Sequence, residues 1–266
     1  MQKANDIYNF LDKTFPYNVA EKDDNSGIIV WDKDKEIKKC LISLDITLKV
    51  IQEAIKLGCD LIISHHPIIF EPLKAVSDDD LVGKKISLLI KNDILAISCH
   101  TNLDIARGGL NDILANKLGL NGIESFLNVD DYINKKQQKP SYLGRIGTVE
   151  KTNLIDFAKK VKAILNCEKI RYCDGGKDVH KVAVIGGSGA TYYSRAIKAG
   201  ADTLVSADAK YSAFLPSMEL GFNLIDAGHF CTENIVIKPL CEMLKKEFSD
   251  LEFIISKENS DCIKYI

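Results

Sequence analysis

Ala54-Ile55-Lys56-Leu57-Gly58-Cys59-Asp60-Leu61-Ile62-Ile63-Ser64-His65-His66 puts a helix end, a glycine stop and an apolar strand into thirteen residues. A second copy stands later in the chain, at Ala196-Ile197-Lys198-Ala199-Gly200-Ala201-Asp202-Thr203-Leu204-Val205-Ser206-Ala207-Asp208, with six of thirteen positions identical. A further pair follows in the same order: His100-x-x-x-Asp104 and His229-x-x-x-Glu233, each straight after an apolar run. Repeats in matching order indicate two related halves. Glycine just past each helical stretch (Gly58, Gly119, Gly200, Gly221) fits a left-handed helix stop.

Outward from these stretches, short apolar runs alternate with amphipathic ones throughout. Strands are predicted at Leu41–Asp45, Leu61–Ser64, Ile94–Ser98, Gly144–Val149, Lys181–Ile185, Thr203–Ser206, Asn223–Ala227 and Glu252–Ser256. Helices are predicted at Ala4–Thr14, Leu48–Leu57, Leu81–Lys91, Leu110–Leu118, Asn153–Leu165, Thr191–Ala199, Ser212–Leu220 and Ile235–Phe248. This alternation predicts an α/β fold with mostly parallel central strands. The polar stretch Asn121–Pro140 reads as a connector. It divides the chain into a first half over 1–125, a linker over 126–139 and a second half over 140–266.

Composition narrows the function. The 266 residues carry 35 basic and 37 acidic side chains, and this balance leaves no basic footprint for nucleic acid. No apolar run approaches the ~20 residues of a membrane span. The polar start, Met1-Gln2-Lys3-Ala4-Asn5-Asp6, lacks a signal-peptide core. A cytoplasmic protein with reduced thiols is therefore expected, and the eight cysteines form no C-x-x-C pair.

Four of the five histidines follow predicted strands: His65, His66, His100 and His229. In parallel α/β sheets, ligands gather outside the carboxyl ends of strands. Imidazoles with carboxylates there suit a divalent metal. His65 and His66 diverge if the chain stays extended, which favours two ions over one. Pro67 keeps His66 out of a helix. Asp104 and Glu233 supply carboxylates, and a helix starting at His229 puts His229 and Glu233 on one face. Rival readings are a structural histidine pair, an N-cap role for Asp104, and a solvated helix-start role for Glu233. His100 reads as a second ligand layer or a substrate contact, with direct ligation as a third option. His180 reads as exposed. Cys99 and Cys231 read as small buried residues, with a thiolate ligand as the alternative. Gly186-Gly187-Ser188-Gly189 is either a phosphate-holding turn or a tight strand-to-helix turn. Asp208 is a further pocket candidate. No G-x-S-x-G elbow points to a serine hydrolase.

These motifs, with Asp24-Asn25-Ser26-Gly27 and Leu44-Asp45-Ile46-Thr47, resemble the GTP cyclohydrolase 1 type 2 homolog family, also called NGG-interacting-factor-like. The likeness spans nearly the whole chain. It implies two similar, interlocked α/β domains, a toroidal homohexamer and a dinuclear metal site. The implied ligands are His65, His66, Asp104, His229 and Glu233. The implied ions are two divalent metals per chain, Zn or Fe before Mn, Co or Ni. Many members carry Thr-Gly-Asp followed shortly by histidine. This chain has Ser206-Ala207-Asp208 and then Lys210-Tyr211-Ser212, which puts any substrate role of that segment in doubt. The family label implies hydrolysis of a nucleotide-like substrate, GTP included, with Asp45, Asp208 or His100 moving protons. A metal-dependent phosphoesterase and a non-enzymatic metal-binding or regulatory scaffold are the alternatives. The expected ligand is small and anionic, and neither nucleic acid nor a membrane is expected as a partner.

Overall fold

The computed structural model describes residues 2–127 and 142–266. The chain forms two compact units. One comprises residues up to Ala106 together with Val236–Ser260, and the other comprises Arg107–Ile235 with Asp261–Ile266. This division is offset from the halves expected at 1–125 and 140–266. Strand Glu252–Ile255 hydrogen-bonds in parallel to Lys39–Ser43 and so belongs to the first unit. Strand Asn121–Ser125 pairs antiparallel with Arg145–Thr152, so the second unit is already under way before the expected linker. From residue 128 onward, that linker lies outside the described residues.

The first unit holds a five-stranded sheet in the order Glu252–Ile255, Lys39–Ser43, Leu61–Ser64, Leu95–Ser98, Gly27–Val30. The first four strands run parallel and the last is antiparallel. Helix Leu48–Leu57 shows why these elements form. Thr47 accepts a hydrogen bond from the Val50 amide and caps its start. Val50, Ile51 and Ala54 face the core, and Gly58 ends the helix at φ 64°. Leu41, Ile62, Leu89 and Ala96 complete that core. Each fully buried aliphatic side chain contributes about 1.5–3 kcal/mol.

In the second unit, a six-stranded sheet runs in the order Asn121–Ser125, Arg145–Thr152, Val179–Val184, Thr203–Ser206, Asn223–Asp226, Arg171–Cys173. Its three strands from Val179 to Asp226 are mutually parallel. Phe157, Val161, Val182, Val205 and Ile225 fill its core beneath helix Leu154–Leu165.

The sequence repeat is a structural repeat. Strands Leu61–Ser64 and Thr203–Ser206 each lie between two parallel neighbours. Asp60 accepts from the amides of Lys38 and Lys39 at 2.8 and 3.0 Å. Asp202 accepts from His180 and Lys181 at 3.0 and 2.7 Å. The same carboxylate thus ties down the start of the neighbouring strand in both units. The histidine-acid motifs are one residue out of step. His100 caps the short helix Thr101–Ile105, whereas His229 is the first residue of helix His229–Glu233.

Candidate metal centre

In the first unit, three imidazoles converge beyond the strand ends. His65 and His66 have ring centroids 4.9 Å apart, and His100 lies 5.3 and 5.5 Å from them. One ring nitrogen of each lies within 4.8 Å of the others, so the three can hold a metal ion. The expected divergence of His65 and His66 does not occur, because the strand pleat ends at Ser64. The His65 amide donates to Ser43 O at 3.3 Å and the His66 amide to Leu44 O at 2.9 Å. Two successive amides therefore face the same neighbouring strand, which a regular pleat forbids. Ser64 Oγ also donates to His66 O at 2.7 Å and helps bend the chain.

Each ring of the cluster is oriented through Nδ1. His65 donates to Cys99 O at 2.7 Å, His66 to Asp45 at 2.9 Å, and His100 to Asp24 at 2.6 Å. With Nδ1–H donated, the lone pair sits on Nε2, as in metal-binding histidines held by an outer carboxylate or carbonyl. His65 Nε2 lies 3.6 Å from Asp104 Oδ1, and both side chains are buried. Asp104 is helical, inside Thr101–Ile105, so it is not that helix's N-cap.

Asp24 holds the arrangement in place. It accepts from His100 Nδ1, the Ser26 hydroxyl, and both the amide and the hydroxyl of Thr101. Burial alone would raise its pKa. The hydrogen bonds from His100, Ser26 and Thr101 and the His100 charge outweigh burial and hold the carboxyl well below its usual range. In the sequence, Asp24 stands out only as part of the motif Asp24-Asn25-Ser26-Gly27. Its serine two positions on and its place before a strand were the available signal. Cys99 contributes its carbonyl, while its buried thiol sits 3.5 Å from the Tyr17 hydroxyl and is pushed up to about 12.

The second unit carries its own histidine-carboxylate pair. His229 Nε2 and Glu233 Oε2 are 2.9 Å apart at i,i+4 on one helix face, and Glu233 is buried. His229 Nδ1 donates to Asp208 at 2.8 Å. Burial would lower the His229 pKa, but Glu233 and Asp208 together lift it to about 9. A cation taking the Nε2 position displaces that proton.

Asp45 and Asp208 therefore meet the Nδ1 atoms of His66 and His229. That is the position of a carboxylate that orients a histidine ring. Replacing Asp45, whose side chain is half exposed, with alanine should leave the fold intact. It should weaken metal affinity about ten- to a hundredfold, as read by competition with a chelator.

The glycine turn makes most of its hydrogen bonds inside its own unit. Gly186 donates to Asn111 at 2.8 Å, Gly187 to Thr232 at 3.0 Å, and Gly189 to Gly187 O at 2.8 Å. Three of its amides are thus spent within the unit. A Cβ on Gly187, at φ 61°, would stand 2.0 Å from Glu233 Oε1. The turn is bare so that Glu233 can approach. His180 is exposed, as expected, and its Nδ1 meets Val149 O at 2.7 Å.

Fold and side chains together describe an α/β protein with a candidate divalent-metal centre of imidazoles and carboxylates. No helix among the described residues is long and apolar enough to cross a membrane. The chain belongs to the Duf34/NIF3 (NGG1p interacting factor 3) family, whose pattern matches residues 2–262. A GTP cyclohydrolase 1 type 2 homolog from Clostridium perfringens is 38% identical over 270 residues, covering 99% of this chain and 100% of that protein. Staphylococcus aureus protein SA1388 superposes with a TM-score of 0.89 at 30% identity, covering 100% and 99% of the two chains. Reduced HcgD from Methanocaldococcus jannaschii gives 0.81 at 32% identity, covering 96% and 98%.

Proposed function

We propose that this protein binds two divalent metal ions per chain and hydrolyses a nucleotide-like substrate. The proposed ligands are His65, His66 and Asp104 from the first unit and His229 and Glu233 from the second. The observation that supports this reading is the three-imidazole cluster, in which every Nδ1 is spent on a fixed oxygen. Such a donor set fits Zn or Fe, and also Mn, Co or Ni. Ions bound there would supply Lewis acidity, lowering the pKa of water and neutralising charge that develops on an attacked substrate.

The chain's own groups have separate duties. Cys99 O and Asp45 fix the His65 and His66 rings, and Asp208 fixes His229. Asp24 holds His100, the third imidazole of the cluster, with its ring partly open to solvent, where it can relay a proton to or from a bound substrate. The name borne by the Clostridium perfringens relative favours GTP among nucleotide-like substrates. Assembly as a homohexamer forms part of the same proposal, and sedimentation of the metal-loaded protein tests it.

Elemental analysis of the purified protein beside His65→Ala and Glu233→Ala is the deciding experiment. About two transition-metal ions per chain are expected, with most of the metal lost in either variant and circular dichroism unchanged. No bound metal after reconstitution would overturn the reading. The metal-loaded protein should release formate from GTP. Phosphate release instead would identify a phosphoesterase, and neither product would point to a metal-handling scaffold.

A further inference from the structure

Residues 65–80 run from strand Leu61–Ser64 to helix Leu81–Lys91 without regular secondary structure. Connections of that length inside compact units are uncommon and are usually functional. Its beginning is pinned. Ile68 is buried in the core, and Asn25 Nδ2 donates to Ile69 O at 2.8 Å. Phe70 comes next, and 59% of it is exposed. Its ring stands edge-on to His100, with centroids 5.9 Å apart and planes at 88°. Asn25 thus positions the backbone before Phe70, and its neighbour Asp24 positions the His100 ring that Phe70 meets. Leu73, Val76 and Leu81 add exposed apolar surface further along.

More than half of this large apolar ring is open to solvent beside a polar cluster. An aromatic face of this kind accepts a planar ring by stacking, and does so with little regard to which base it is. We propose that Phe70 is the stacking platform of a subsite for the planar heteroaromatic ring of the ligand, at the edge of the His65-His66-His100 cluster. This rests on the nucleotide-like reading above and names the part of the ligand that lies against the first unit. The apolar residues beyond Phe70 would shield the stacked ring from solvent.

The test compares binding of GTP, ATP and inorganic tripolyphosphate to metal-loaded wild type, Phe70→Ala and Phe70→Tyr by calorimetry, with metal content measured on the same samples. Wild type should bind both nucleotides more tightly than tripolyphosphate. Phe70→Ala should lose roughly five- to a hundredfold in nucleotide affinity. Its tripolyphosphate affinity and metal content should hold, and Phe70→Tyr should bind like wild type. If wild type prefers the nucleotides and Phe70→Ala keeps that preference, the stacking platform is refuted and the nucleotide reading stands. If metal-loaded wild type binds nucleotides no better than tripolyphosphate, the nucleotide reading fails and the subsite falls with it.

Discussion

Replacing Asp24 with alanine should destabilise the first unit by roughly 3 kcal/mol or more, because each buried donor left unpaired costs about 1–3 kcal/mol. The carboxylate is 4% exposed and gathers four donors: His100 Nδ1, the Ser26 hydroxyl, and the amide and hydroxyl of Thr101. Alanine leaves all of them facing a void. The denaturation midpoint in urea should fall with little change in slope. The pH dependence has a definite sign. Because the folded-state pKa of Asp24 is depressed, its contribution is fully present above the unfolded carboxyl pKa, near 4. That contribution is lost as pH falls through the folded value. Wild type should therefore lose stability on acidification below about pH 4 more steeply than Asp24→Asn does. Parallel acid limbs in the two proteins would sink this account.

Gly187→Ala should strike the histidine-carboxylate pair of the second unit. The residue sits at φ 61°, where a Cβ costs about 1–2 kcal/mol. The new methyl would also stand 2.0 Å from Glu233 Oε1 and 3.0 Å from its Cδ. Glu233 is buried, so its carboxylate cannot swing into solvent without leaving His229. The expected result is a loss of roughly 2–4 kcal/mol in stability, strain and clash together. Most bound metal should be lost with it. A variant that keeps full metal content at unchanged melting temperature would show that Glu233 is not held where the structure places it.

Much of the fold is legible in the sequence wherever a strand is central. Leu61–Ser64 and Thr203–Ser206 emerge with their expected bounds, because apolar runs buried on both faces stand between a glycine stop and a polar end. Of the four edge strands in the two large sheets, only Glu252–Ile255 was legible. Gly27–Val30, Asn121–Ser125 and Arg171–Cys173 are partly exposed and carry no run of core residues. Helix Thr191–Ala199 begins as a 3-10 turn over Ala190–Tyr192, which hydropathy does not distinguish. At the site, the i,i+4 pairing of His229 with Glu233 was readable because it needs only helical spacing. The closeness of His65 and His66 was not. It depends on two amides reaching the same neighbouring strand, and residue order says nothing about where a pleat breaks. The pairing of Asp45 and Asp208 with histidine Nδ1 atoms was hidden for a related reason. A carboxylate that faces a reactant and one that faces Nδ1 of a histidine look alike in sequence.

The return of the chain to its first unit sets a timetable for synthesis. Strand Lys39–Ser43 is synthesised long before its edge partner Glu252–Ile255. Asn259, which accepts from the Leu44 amide, and Ser256, which donates to Glu53, arrive later still. Nearly all of the second unit is continuous, from Arg107 to Ile235, and emerges before those residues. The unit encoded first therefore closes only after nearly all of the second has been made. A nascent chain that has emerged through residue 235 carries nearly all of the second unit, while the first still exposes the edge of Lys39–Ser43. For that interval, the unguarded strand is the point at which the growing polypeptide is open to mispairing.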